Sequence, residues 1–196
     1  MSFSKVQIFN IVLRNLGVSI SIQNIDQADV NTTTLKTFYD LALQQALKDF
    51  DWNFASTIRE LSLTGNASDN PKYEYEYDYP NDCLAARELV NNADEKTNFQ
   101  VASNFTTKSR VINTNITPAY LRYTRRVDNE AEFTAEFIMA FSWYLAFLSA
   151  LAITGSDSKR SEAFKIYNGM KLEGIVSNAN EGYEDEPSEA SWIEAR

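Results

Sequence analysis

The chain has no histidine and a single cysteine, Cys83. Without imidazole it lacks the commonest acid–base group and metal ligand at neutral pH. One cysteine excludes an internal disulfide and a cysteine-based zinc site. A Cys83 nucleophile would also lack the histidine that usually activates it. Cys83 therefore reads as a small buried residue at the start of a strand. Positive charge is scarce too: 18 Lys and Arg stand against 27 Asp and Glu, a net charge of −9. A protein that grips phosphates needs clustered cations, so this balance argues against that task. It suits a surface that repels nucleic acid or binds a basic partner. No glycine-rich phosphate loop appears, and strands do not alternate with helices. No basic stretch leads into an apolar run at the start, so no signal peptide is expected. Neither a cofactor nor a metal is expected.

The 196 residues suffice for one domain with a real core, or for one domain carrying an insertion. Three compositional blocks and a tail can be distinguished. Residues 1–55 read as two helices. Ile8, Phe9, Val12, Leu13 and Leu16 recur at helical spacing, with Ser2 or Ser4 as N-cap and Gly17 as C-terminal cap. After the β-prone link "VSISIQNI", Asp26 is the expected N-cap of a longer helix. Its apolar stripe is Leu35, Phe38, Tyr39, Ala42, Leu43, Ala46 and Leu47. The crowded "DFDWNF" ends it.

Residues 56–129 read as an inserted β-domain. "IRELSL" (58–63) is a candidate strand and "TGNASDNP" (64–71) a turn. "CLAARELV", "TNFQVASN", "TKSRVINT" and "AYLRYTRRV" are further short runs, as in an antiparallel sheet or small sandwich. The remaining run, "KYEYEYDYP" (72–80), alternates Tyr73, Tyr75, Tyr77 and Tyr79 with Glu74, Glu76 and Asp78. A strand places its aromatics on one face and its carboxylates on the other. The tyrosine face suits packing on the β-domain or on a second subunit, since tyrosine offers large area at small entropy cost. The carboxylate face is expected to be solvated or at an interface.

Residues 130–179 return to helix. "FIMAFSWYLAFLSALAIT" (137–154) carries no charge. It is near the lower length for a membrane span but reads better as a central core helix, buried on most sides. After a break at "TGSDSKR", Phe164, Tyr167, Met170 and Ile175 mark a last helix. The fold class is thus α+β: mainly a helical bundle, an inserted antiparallel β-domain, and an extended C-terminal tail from 180 to 196. The tail holds six carboxylates and cannot fold alone, yet it contains Tyr183, Trp192 and Ile193. That pattern fits either a frayed, solvated end or a segment anchoring on a partner, with Glu184 and Glu186 meeting basic rims. The cluster Arg122, Arg125 and Arg126 beside Tyr120 and Tyr123 resembles a nucleic-acid strand in miniature. In so acidic a chain it fits better as a partner for carboxylates of a neighbouring copy.

Four stretches resemble the head-to-tail adaptor family of short-tailed bacteriophages, the tail tubular protein A-like connectors. They are "IFNIVLRNLG"; "LALQQALKDFDWNFA" with Trp52, Phe54 and Ala55; "YDYPNDCLAARELV" with Tyr77, Pro80, Asp82, Cys83 and Leu84; and "PAYLRYTRRVDNEAEFTAEFIMAFSWYLAFLSALAIT" with Leu121, Arg122, Tyr123, Phe133, Phe137, Ala140, Leu145 and Ala146. The resemblance spans nearly the whole chain in order. It implies a non-enzymatic virion protein at the head–tail junction, assembled in the host cytoplasm. It implies a homo-oligomeric ring of twelve copies below the portal protein. That ring continues the DNA channel without specific DNA binding and carries the tail nozzle protein; no membrane is involved. It also implies that the C-terminal segment extends to the portal, through Tyr183, Glu184, Glu186, Trp192 and Ile193. Tyr73, Tyr75, Tyr77, Arg122, Arg125 and Arg126 are then expected at subunit or nozzle contacts. The residues alone leave open a soluble interaction module without a virion role, or a carboxylate-based enzyme.

Overall fold

A computed structural model describes residues 3–91 and 96–181. It contains four helices and two antiparallel sheets, an α+β protein. Helix α1 (Lys5–Asn15) starts at Ser4, whose hydroxyl accepts from the Gln7 amide while the Gln7 side chain accepts from the Ser4 amide. This reciprocal box satisfies two donors that a helix start otherwise leaves free. Gly17 follows the helix with φ +72°, and a Cβ there would meet Lys159 Nζ at 2.9 Å. The Lys159 ammonium donates to the Leu16 carbonyl at this helix end.

Helix α2 (Val30–Asp49) is capped by Asp29, not by Asp26. Asp29 accepts from the Asn31 and Thr32 amides and from the Thr32 hydroxyl. The Thr32 hydroxyl bond is the main reason the Asp29 carboxyl is held below its usual range. Asp26 lies three residues too early to reach those amides. The expected stripe of α2 is buried, apart from half-buried Phe38.

Between α2 and the third helix lie eight strands. Sheet order is β1-β8-β4-β5 in one sheet and β2-β3-β7-β6 in the other. The strands are β1 (Ser56–Glu60), β2 (Leu63–Ala67), β3 (Tyr75–Asp78), β4 (Cys83–Val90), β5 (Lys96–Thr97), β6 (Phe99–Ser103), β7 (Arg110–Thr114) and β8 (Tyr120–Arg125). The expected single strand over 58–63 is two strands in different sheets. The chain crosses between them at Leu61, which turns into the shared core. Part of the expected turn 64–71 is therefore strand, with Gly65 at φ +79° in β2, whose register with β3 is irregular. Both sheets cover one apolar cluster of Leu61, Tyr77, Cys83, Leu89, Ile112, Ala119, Leu121 and Tyr123.

Helix α3 (Ala135–Thr154) ends at Gly155, in left-handed conformation with φ +65°. Only Gly155 and Ser156 separate it from α4 (Asp157–Glu181), so "DSKR" is the first turn of a helix rather than part of a break. The Ser156 hydroxyl accepts from the Lys159 amide at that start. Helix α3 packs against α1, α2 and α4. By length and composition it could cross a membrane, and 50% of its most apolar 18-residue window is buried. Phe137, Phe141, Leu145 and Ala146 are fully enclosed, whereas Met139 and Leu151 are exposed. Burial on most sides therefore holds for one face of α3 only.

Candidate interaction surfaces

The helices and the sheets have separate apolar cores. The contacts between them come from the segment 50–55, the ends of β4 and β8, and the start of α3. Trp52 stacks edge-on to Phe137 with centroids 5.3 Å apart, and its indole N–H donates to the Ala46 carbonyl. Phe54 meets Phe133 at 6.0 Å and Phe137 at 5.1 Å. Leu84 of β4 packs on the helical core.

Around these rings runs a set of ion pairs. Arg122 on β8 bonds to Asp51 and, at 3.1 Å, to Glu88 on β4. Arg87 donates to the Lys48 and Phe50 carbonyls at the end of α2 and to the Thr124 hydroxyl. Arg125 bonds to Glu132 and to the Phe54 carbonyl. Arg126 bonds to Asp128 at 2.7 Å and lies 4.0 Å from Asp40 on α2. The three arginines singled out from the sequence thus carry carboxylate partners inside the same chain. The Arg87 contacts left no sequence signal, because a cation inside a strand does not reveal which helix end it will reach.

The Lys96 ammonium, 2.9 Å away, holds the Glu88 carboxyl below its usual range, and Arg122 adds to that. A depressed folded pKa gives stability that is present above the ordinary carboxylate value, about 4.3, and is lost as pH falls through the depressed one. Lys96 is largely exposed, so the contribution is below about 1 kcal/mol. Urea unfolding between pH 7 and pH 3 is expected to show a shallower acid loss for Glu88→Gln than for the parent. Parallel curves would show that the pair is screened out.

The tyrosine strand divides its residues differently from the simple alternation. Tyr77 is 1% exposed and its hydroxyl donates to the Ile116 carbonyl, so its ring belongs to the sheet core. It offers no surface to another subunit in this fold. Tyr75 and Tyr79 are half-buried against that core. Tyr73 precedes β3 and is half-buried, with the Lys72 ammonium 5.6 Å above its ring.

On the opposite face Glu76 is not solvated. It is 1% exposed, and it accepts from the Thr64 hydroxyl at 2.9 Å and from the Asn104 amide at 3.1 and 3.2 Å. The loop between β6 and β7 folds back over this face, tied by the Phe105 amide to Asp69. Asn113, paired with Glu76 in the strand register, is buried with its side-chain oxygen lacking a hydrogen-bond partner. Period-two reasoning assigns faces, but it does not show that a loop covers one of them.

A groove of about 590 Å³ is lined by Asp78, Tyr79, Pro80, Asn81, Cys83, Ser109 and Arg110. The Arg110 guanidinium stacks 3.8 Å from the Tyr79 ring centre. Burial pushes the Cys83 thiol up, which disfavours the thiolate. Burial likewise pushes the Tyr79 hydroxyl up to about 12. Among the described residues, no group of three or more Cys, Asp or Glu side chains could hold a metal ion.

Tyr183, Glu184, Glu186, Trp192 and Ile193 lie outside the described residues. Exposed apolar side chains on the helices were not anticipated: Met139 and Leu151 on α3, Phe164 and Leu172 on α4. Phe164 fits the helical spacing of the last apolar stripe yet lies at its solvent edge. Compared with known proteins, the chain matches no family model and no curated protein.

Proposed function

We propose that this protein is a head-to-tail adaptor of a short-tailed bacteriophage: a non-enzymatic ring subunit, twelve to a ring, that docks below the portal and carries the tail nozzle. In this reading the helices form the ring's bundle, the inserted β-domain projects from it, and the C-terminal tail reaches the portal. The observation that carries the reading is where the resembling residues meet. Trp52 and Phe54, Leu84, Arg122, and Phe133 and Phe137 come from stretches far apart in the chain, and they converge on the junction between helices and sheets. The likeness therefore falls on the residues that fix how the two parts are joined. A ring that transmits force between a capsid and a tail needs that joint to be rigid.

The net charge of −9 supports the channel role, since a lining that repels a polyanion lets DNA pass without being held. Tyr73 and Tyr75, at the surface of the sheets, remain candidates for subunit or nozzle contacts. Arg122, Arg125 and Arg126 serve that contact indirectly, by fixing the strand that presents it.

Co-sedimentation with purified portal rings tests the proposal. The isolated protein is expected to be monomeric or weakly associated at micromolar concentration, and to join portal rings in a fixed stoichiometry. Native mass spectrometry reads both states. A protein that ignores portal rings would overturn the reading.

A further inference from the structure

We infer that residues 182–196 of this chain dock on the exposed apolar ridge of its own α3–α4 hairpin, with Trp192 and Ile193 as the anchor. The ridge is set by the register of the two helices. Phe147 meets Phe164 with centroids 4.8 Å apart, and Tyr144 meets Tyr167 at 4.8 Å. The same register brings Met139 level with Leu172. Along α3, Met139, Trp143, Phe147 and Leu151 recur every four residues, which places them on one inclined row of the helix surface. Beside that row Phe164 is 44% exposed and Leu172 62% exposed. No described element covers them. Large apolar side chains grouped in this way mark a contact surface.

Three observations favour this occupant. Charge is the first. Between Asp157 and Leu172 the hairpin carries Lys159, Arg160, Lys165 and Lys171 against Asp157 and Glu162. Over this stretch the cations exceed the carboxylates by two, with Lys171 lying 3.8 Å from Asp49 and Arg160 4.0 Å from Asp157. The Arg160 guanidinium lies 5.2 Å from the Phe147 ring centre, at the edge of the ridge. Residues 182–196 carry Glu184, Asp185, Glu186, Glu189 and Glu194 against Arg196 alone. Chemistry is the second, because Trp192 and Ile193 are the type of side chains that fill an apolar row. Reach is the third. Helix α4 returns along α3 and ends at Glu181. From there Phe164 lies about 26 Å back along the helix, at 1.5 Å per residue. An extended chain to Trp192 spans about 36 Å.

This inference does not rest on the adaptor reading, although the two combine. If the portal receives the same Trp192, the ridge and the portal compete for one segment, and ring docking uncovers the hairpin.

The test compares the full chain with a chain ending at Glu181, without portal present. Truncation is expected to lower the melting temperature by about 3 °C or more and to raise the fluorescence of an added apolar dye. Trp192→Ala should reproduce most of both changes. Phe164→Asp should lower the melting temperature of the full chain but add little to the truncated one, and Leu172→Asp gives the same comparison at a more exposed position. Equal melting and equal dye binding of the full and truncated chains would overturn the inference. So would a full chain that dimerises while the truncated one is monomeric, since the segment would then cover a second copy. Portal co-sedimentation is read separately, so the adaptor reading can fail while this contact stands, and the reverse.

Discussion

Replacing Phe137 by alanine is expected to remove about 3–5 kcal/mol of stability, the range for emptying a buried aromatic site. Phe137 has no exposed surface. It touches four other rings: Trp52, Phe54 and Phe133 edge-on, and Phe141 stacked at 5.7 Å. Alanine would leave a void bounded by aromatic side chains of the segment 50–55, of Phe133 and of α3, so collapse could recover little of the loss. Because Trp52 and Phe54 also seat the sheets on the helices, the damage should spread beyond the helical core. For a chain of this size the change corresponds to a fall in melting temperature of about 10 °C. Circular dichroism on heating measures it. A loss below about 1 kcal/mol would mean that the ring cluster is loosely packed and that the joint is held by the ion pairs instead.

Tyr77→Ser is expected to cost about 3–5 kcal/mol as well, by removing a ring that fills the space between the two sheets. The substitution also leaves the half-buried Ile116 carbonyl without its donor, which adds to the cost. Tyr73→Ser should cost much less, because Tyr73 lies before the strand and outside the shared cluster. The pair separates two roles that the sequence joins. If Tyr73 serves a subunit or nozzle contact, Tyr73→Ser should leave the monomer folded and weaken assembly, while Tyr77→Ser should unfold the sheets first. Urea unfolding of both variants, followed by portal co-sedimentation of Tyr73→Ser, reads the two effects. Equal stability losses would show that the whole tyrosine run is core.

The order helix–strand–helix was legible from the sequence, because it depends on local chemistry. Apolar residues at helical spacing gave α1 and α2, and Ser4 and Gly17 marked the ends of α1. Short runs with turn residues between them gave the β region, and an uncharged run of eighteen residues gave α3. The place of Cys83, buried at the first position of β4, followed from its small apolar character.

What depended on distant partners was not legible. The split of 56–67 between two sheets is decided at Leu61, which finds its core only once Tyr77 and Leu121 are beside it. The burial of Glu76 is decided by Asn104, 28 residues away, whose loop folds over the strand face. The partners of Arg122 and Arg126 are decided by the docking of helices on sheets, which brings Asp51 and Asp40 within reach. The exposed ridge of α3 and α4 has the same origin. Periodicity shows that a helix has apolar faces, but only the packing of its neighbours decides which face they leave open. Composition and spacing act over a few residues and so determined the elements of this protein; the tertiary structure decided which side chains are buried, paired or available, because those depend on contacts between residues far apart in the chain.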